Sequence, residues 1–200
     1  MRNRQITIAA MFLVAVAVTA FGQTNGALIE SVDGTVEVQL PGEEWQTVEA
    51  GEIVPVAARI STGFGATAEV AVTESTTVTV DPLTRIAIEE LAVEEGLDSS
   101  AVGLEVGRIE GSVERGDDRT TEFDVRSPVA TASVRGTTFL FDGEELAVDE
   151  GVVGFISAIG RVHSVGAGEQ NFTYDVAEQP RAPAAARVDR RSVSHRTAVR

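Results

Sequence analysis

Ser127-Pro128-Val129-Ala130-Thr131-Ala132-Ser133-Val134-Arg135-Gly136-Thr137-Thr138-Phe139 is the stretch that decides the fold of this chain. A Ser-Pro turn opens it, because proline fixes φ and cannot donate to a ladder. Residues 130–134 and 137–141 then read as two short strands. Gly136 between them lets the backbone bend or approach another strand closely.

The same grammar extends outward in both directions. On the N-terminal side Thr121 to Arg126 reads as a strand, and residues 102–113 as strands bent at Gly103, Gly107 and Gly111. Further back, Ala68, Val70 and Val72 share one face by the period of two, and Val78 and Val80 alternate with threonines. Asp81-Pro82 forms the corner between residues 76–80 and 83–88. A turn at Asp33-Gly34 is flanked by Val32 and Val36. On the C-terminal side Asp142-Gly143 joins two strands, and strands at 152–157 and 161–165 complete the body. A long helix is implausible through this β-branched, turn-punctuated stretch. Residues 91–101 are more polar and are expected to form a loop or one short helical turn. The expected fold is all-β, a rolled or solenoid-like stack of short antiparallel strands, with a disordered C-terminal tail.

A faint echo links Ser31-Val32-Asp33-Gly34-Thr35-Val36-Glu37 with Arg108-Ile109-Glu110-Gly111-Ser112-Val113-Glu114. Two similar stacked β units would explain it; so would a chance match between two β-rich segments.

Composition bounds location and chemistry. Residues 1–22 read as a secretory signal: Arg2 and Arg4 precede an uncharged, mostly apolar run from Ile6 to Phe21, with cut sites after Ala20 or Gly22. That run is shorter than the roughly 20 residues a spanning helix needs, so cleavage is expected rather than a retained anchor. The protein is then exported, to the periplasm or beyond the cell. With no cysteine in the chain, disulfides, thiolate metal sites and lipid attachment at a processed N-terminal Cys are all excluded.

Charge is uneven. Residues 23–180 carry eight Arg against 30 acids, a net of −22, while residues 181–200 hold six Arg and one Asp, a net of +5. An acidic body repels nucleic acid and anionic lipid, and attracts cations or a basic partner. The same charge fits adaptation to a salty medium, where salt screens the repulsion. The organisation expected is a signal peptide over 1–22, a β domain over 27–170, and an edge segment with a disordered Arg-rich tail over 171–200.

No enzyme chemistry stands out, and no cofactor or metal is expected. His163 and His195 are the only histidines, and neither has the ligand spacing of a zinc site. Asp117-Asp118 and Asp142-Gly143-Glu144-Glu145 lack the alternating ligands of a calcium loop. No phosphate-binding glycine loop is present.

Taken in order, the strands and turns resemble the FecR domain family, known from bacterial envelope regulators related to ferric-citrate signalling. The likeness runs from residue 28 to residue 170. It begins with Gly34-Thr35-Val36-Glu37-Val38, followed by Trp45 and Gly51, then Arg59-Ile60-Ser61-Thr62-Gly63 and Gly107-Arg108-Ile109. Its signature is Phe123-Asp124-Val125, Ser127-Pro128 and Val134-Arg135-Gly136-Thr137-Thr138-Phe139. Glu150-Gly151-Val152 and Ala167-Gly168-Glu169 close it.

The resemblance implies an outer β region that meets other proteins. The family's regulators also carry a cytoplasmic segment that controls a sigma factor, for which a chain opening on its export signal leaves no room. A free-standing exported domain that binds, scaffolds or senses through an envelope or extracellular protein is therefore expected. A glycan-binding domain, or a reduced component of a sigma-factor system, is the alternative. The membrane enters only if residues 1–22 are retained.

The fold-signature and candidate interaction residues are Trp45, Gly107, Arg108, Phe123, Pro128, Arg135, Gly136, Thr137 and Phe139. Arg135 is expected to clamp the fold through its five-donor guanidinium. Phe123 and Phe139 are expected as core anchors, and Trp45 as partly buried packing or an interface anchor.

Overall fold

The computed structural model describes residues 26–173, except 95, 117, 118 and 158. The expected export signal and Arg-rich tail, and the Asp117-Asp118 turn, lie outside the described residues. In chain order the strands are β1 (Gly26–Asp33), β2 (Val36–Gln39), β3 (Trp45–Thr47), β4 (Ile53–Pro55), β5 (Arg59–Thr62) and β6 (Thr67–Thr73). There follow β7 (Thr76–Val80), β8 (Arg85–Glu94), β9 (Leu97–Val106), β10 (Ile109–Val113), β11 (Thr120–Arg126) and β12 (Ala130–Val134). The last five are β13 (Thr138–Phe141), β14 (Glu145–Glu150), β15 (Val152–Ser157), β16 (Val162–Gly166) and β17 (Glu169–Phe172).

They form two open sheets rather than a closed barrel. One runs β17-β14-β13-β10-β7-β6-β1-β4, the other β16-β15-β12-β11-β9-β8-β5-β2-β3. The chain lays down one or two strands in one sheet and then turns a corner into the other, which produces the expected solenoid-like stack. Strand alternation supplies the core between the layers. Ala68, Val70, Val72, Val78 and Val80 from one sheet and Ile60, Ile86, Ile88, Val102 and Val125 from the other are all buried in one cluster.

Nearly all pairings are antiparallel, but β11 runs parallel to β9. The crossover explains this: β9 turns into β10 in the facing sheet, and the chain then returns beside β9 in the same direction. Covered by this neighbour, β9 is buried almost continuously from Asp98 to Leu104. On its outer side Gly103 leaves no room for a Cβ beneath the Glu89 carboxylate, which Arg126 holds at 3.0 Å. Partial burial lowers the Arg126 pKa, and hydrogen bonds to Glu89 and Asp124 outweigh it, so the net shift is upward.

The structure decides three local readings. Residues 91–101 are not a loop or a helical turn: β8 and β9 continue as a hairpin, with Leu91 opposite Ser100 and Glu94 opposite Leu97. Asp33-Gly34 is the expected turn, with Gly34 at φ 81°, and it carries the chain from one sheet to the other, since β1 and β2 belong to different sheets. The echo between residues 31–37 and 108–114 has no common conformation. Gly34 sits at a corner with φ +81°, whereas Gly111 lies inside β10 under the Phe139 ring.

The repeat in the fold is a corner geometry. At three sheet-switching corners a residue with positive φ precedes a small buried residue, against which a second positive-φ glycine packs. Leu83 (φ 59°) precedes Thr84, and a Cβ on Gly107 (φ 95°) would lie 2.6 Å from the Thr84 Cα. Gly136 (φ 62°) precedes Thr137, and a Cβ on Gly151 (φ 86°) would lie 2.6 Å from the Thr137 Oγ1. Gly65 and Ala66 make the same arrangement with Gly34.

Candidate functional site

The corner at Gly107 is the best connected of the three. Thr84 Oγ1 donates to the Arg108 carbonyl at 3.1 Å and accepts the Arg108 N–H at 2.9 Å. Thr62 Oγ1 donates to the Asp81 carbonyl at 2.5 Å and accepts the Thr84 N–H at 3.0 Å. Outside this buried pair, Arg108 Nε meets the Asp81 carboxylate at 2.6 Å. That hydrogen bond and the adjacent negative charge raise the Arg108 pKa above its usual value, so the guanidinium is cationic at any pH the protein meets. Three separate sequence steps, Ile60-Ser61-Thr62, Asp81-Pro82-Leu83-Thr84 and Gly107-Arg108, are thus one clasp.

Thr84→Val keeps the shape of this side chain and removes its hydroxyl. The Arg108 N–H loses its partner at a part-buried site, while the Arg108 carbonyl keeps the Asp81 N–H at 3.1 Å, so a loss of about 1–2 kcal/mol in urea unfolding is expected. A loss below about 0.5 kcal/mol would show that water replaces the hydroxyl freely.

Around the clasp the corners expose apolar side chains. Phe64 is 93% exposed and Leu83 60% exposed; their turns touch, since the Leu83 N–H donates to the Gly63 carbonyl at 3.2 Å. Val106, 55% exposed, and Val129 continue the row. Ile159, 72% exposed, follows Ser157, whose strand position faces Ala130 at the start of β12. Val106, Pro128 and Val129 line a groove of about 250 Å³ with Leu104 at its base and Glu105, Asp142 and Glu144 at its rim. Ser127 Oγ donates to the Gly143 carbonyl at 2.7 Å, tying the β11–β12 turn to the β13–β14 turn and fixing the groove's width.

Apart from Trp45, the singled-out residues therefore part into three places. Gly107, Arg108 and Pro128 meet at the groove end of the sandwich. Arg135, Gly136 and Thr137 stand at the other end. Phe123 and Phe139 lie buried between, with ring centroids 6.3 Å apart.

Arg135 is not a buried clamp: its side chain is 69% exposed and pairs with Glu122 on the surface. The Thr137 hydroxyl, which is buried, reaches the Arg135 carbonyl at 3.3 Å. Trp45 is half-buried on edge strand β3, and the Arg85 guanidinium lies 5.1 Å over its ring. Sequence reasoning passed over Phe64, Leu83, Val106 and Val129. The available signal was an apolar side chain placed inside a Gly- or Pro-marked turn, where no core can take it.

A second groove, about 380 Å³, lies where the β8–β9 hairpin overhangs β1 and β6, lined by Leu28, Val72, Leu91 and Val93. Among the described residues no group of three His, Cys, Asp or Glu side chains is placed to hold a metal ion. No described helix is long and apolar enough to cross a membrane.

A family model described as FecR protein matches residues 58–154. Over these residues, just under half of the chain, the domain is FecR-like. The match takes in the whole Thr62–Thr84–Gly107 clasp, the Pro128 groove and the Gly136–Gly151 corner; Gly34 and Trp45 lie outside it. The chain is also similar to a candidate anti-sigma factor from Parabacteroides distasonis ATCC 8503, in crystal structures at 1.65 and 2.50 Å resolution. Each is 22% identical with a TM-score of 0.48, covering 56% of this chain and 52% of that one. The chain thus spans about half the length of the structures it matches. No curated protein matches it.

Proposed function

We propose that this protein is a non-enzymatic, exported interaction module of the cell envelope that docks a protein partner on the groove end of its FecR-like domain. One observation carries the proposal: Phe64 and Leu83 on the turns at the clasp, Val106 at the end of β9 and Val129 on the turn tied by Ser127 are all exposed. Apolar side chains held outside a core, with Glu105, Asp142 and Glu144 beside Val106 and Val129, are the anatomy of a docking patch with a polar rim. The acid rim and the −22 net charge of residues 23–180 favour a partner presenting basic groups around an apolar centre. A FecR-like domain agrees with an envelope location, and removal of residues 1–22 would release the domain there.

Glycan binding draws less support. Trp45 is the single tryptophan, and Arg85 already covers one of its faces. At most one face of the indole is left for a sugar ring.

The test is crosslinked affinity purification of the tagged protein from its native envelope, with the mature N-terminus sequenced. Val106→Glu combined with Val129→Glu is expected to reduce the captured partner at least tenfold, since central apolar anchors each contribute about 1–2 kcal/mol or more to docking. Capture that is unchanged by both substitutions would move the interface elsewhere. A protein that comes down alone would sink the interaction module.

A further inference from the structure

We infer that the groove lined by Val106, Pro128 and Val129 also receives the chain's own Arg-rich C-terminal segment, residues 181–200. The inference uses the site of the proposed partner and makes the segment a competitor in cis.

Three observations meet there. The described chain ends at the groove itself: β17 pairs with β14, with Phe172 opposite Glu145, and the Thr173 N–H donates to the Glu144 carbonyl at 2.9 Å. Glu144 is one of the rim residues. The following 27 residues therefore leave from the edge of the site.

Charge is the second observation. Glu144 has no ion-pair partner among the described residues, Glu105 is shared with Arg59 at 2.7 Å, and the Asp142 carboxylate accepts the Glu145 N–H at 2.7 Å. The rim is thus a net anionic ring. Residues 181–200 bring Arg181, Arg187, Arg190, Arg191, Arg196 and Arg200 against the single Asp189. Arginine is suited to this because its planar fork pairs with carboxylates while its stem lies on apolar surface.

The third is reach and composition. From Thr173 to Arg181 is eight residues, an extended span of about 26 Å, enough to place the first Arg anywhere on the groove. Pro183, Ala184, Ala185, Ala186 and Val188 supply small apolar contacts to its floor. Attachment beside the site gives an effective concentration on the order of millimolar. Contacts too weak to hold a free peptide therefore suffice in cis. A partner must displace the segment, so the segment sets a threshold for docking.

The absence of cysteine makes the test clean. Ser192→Cys in the full mature chain carries one nitroxide, and paramagnetic relaxation is read at every assigned amide. The amides of Val106, Val129 and Gly143 are expected to relax at least threefold faster than those of Glu74 and Thr137 at the opposite end. The contrast should vanish when Arg181, Arg187, Arg190 and Arg191 are all changed to Gln, and should fall between 50 mM and 1 M salt as screening shortens the reach of the charges. Enhancement spread evenly over the acidic surface, centred on the Leu28–Leu91 groove, or unchanged by the Gln substitutions would overturn the inference.

A second readout separates this from the proposed function. The full-length Gln variant is expected to capture at least threefold more envelope partner than the parent. No relaxation contrast in the parent chain, with capture still sensitive to Val106→Glu and Val129→Glu, defeats only the cis contact. An intact contrast with no captured partner defeats only the interaction module.

Discussion

Phe139→Ala is expected to cost about 3–5 kcal/mol of stability, the usual range for truncating a fully buried phenylalanine. Its ring has no exposed surface, packs against Phe123 at 6.3 Å and lies directly over Gly111, opposite it in the β10–β13 ladder. A Cβ on Gly111 would collide with the Phe139 ring. The glycine therefore has no side chain with which to refill the cavity, and the two facing sheets limit how far the backbone can close. Urea unfolding of the parent and variant gives the difference directly. Gly111→Ala should also destabilise, by driving a methyl into the same ring. A Phe139→Ala loss below about 1.5 kcal/mol would mean that the core repacks around the gap.

Gly107→Ala is expected to cost about 2–5 kcal/mol, from two separable causes. A positive φ costs an L-residue about 1–2 kcal/mol, and here φ is 95°. The added methyl also meets the Thr84 Cα and side chain, and overpacking of this kind costs about 1–3 kcal/mol before any hydrogen bond is lost. Gly42→Ala is the control: its φ is 79°, with open space around the missing Cβ. That substitution should show the conformational cost alone, about 1–2 kcal/mol. For a body of this size each kcal/mol corresponds to about 2–4 °C in Tm. Equal losses at the two glycines would show that the clasp yields to the methyl, and that Thr84 is not held where the structure places it.

Both substitutions fall within residues 58–154, the FecR-like match, yet they act on different parts of the molecule. Phe139 tests the core between the sheets. Gly107 tests the corner that presents the exposed row from Phe64 to Val129. A Gly107 variant that stays folded but loses its partner would connect corner geometry to docking, because the groove and the clasp share Gly107.

Much of this was legible in the chain because strands and turns are local. Alternation at Ala68, Val70 and Val72 and at Val78 and Val80 marks core-facing positions without any knowledge of neighbours. Asp81-Pro82 reads as a corner because proline and its neighbours restrict the backbone locally. The ordered motifs from Arg59 to Phe139 were sufficient to point to the FecR-like domain.

Residues 91–101 show where locality stops. Asp98, Ser99 and Ser100 look like loop residues, but β11 lies alongside β9, and Arg119 pairs with the buried Asp98 at 2.9 Å. Partners more than twenty residues away turn a polar segment into a strand. The corners repeat in the same hidden way: Gly34 with Ala66, Gly107 with Thr84, and Gly151 with Thr137 share a geometry and no sequence pattern.

By itself, then, the sequence determined most of the strands and their buried faces, the main turn positions and the acidic body with its basic end, because φ restriction, side-chain alternation and charge are properties of neighbouring residues. Only the tertiary structure decided which strands share a sheet, that Thr62, Thr84 and Gly107 form one clasp, and that Phe64, Leu83, Val106 and Val129 lie on one surface. Those facts depend on hydrogen bonds and packing between residues far apart in the chain, as Thr62 and Thr84 or Val106 and Val129 are, which no local pattern encodes.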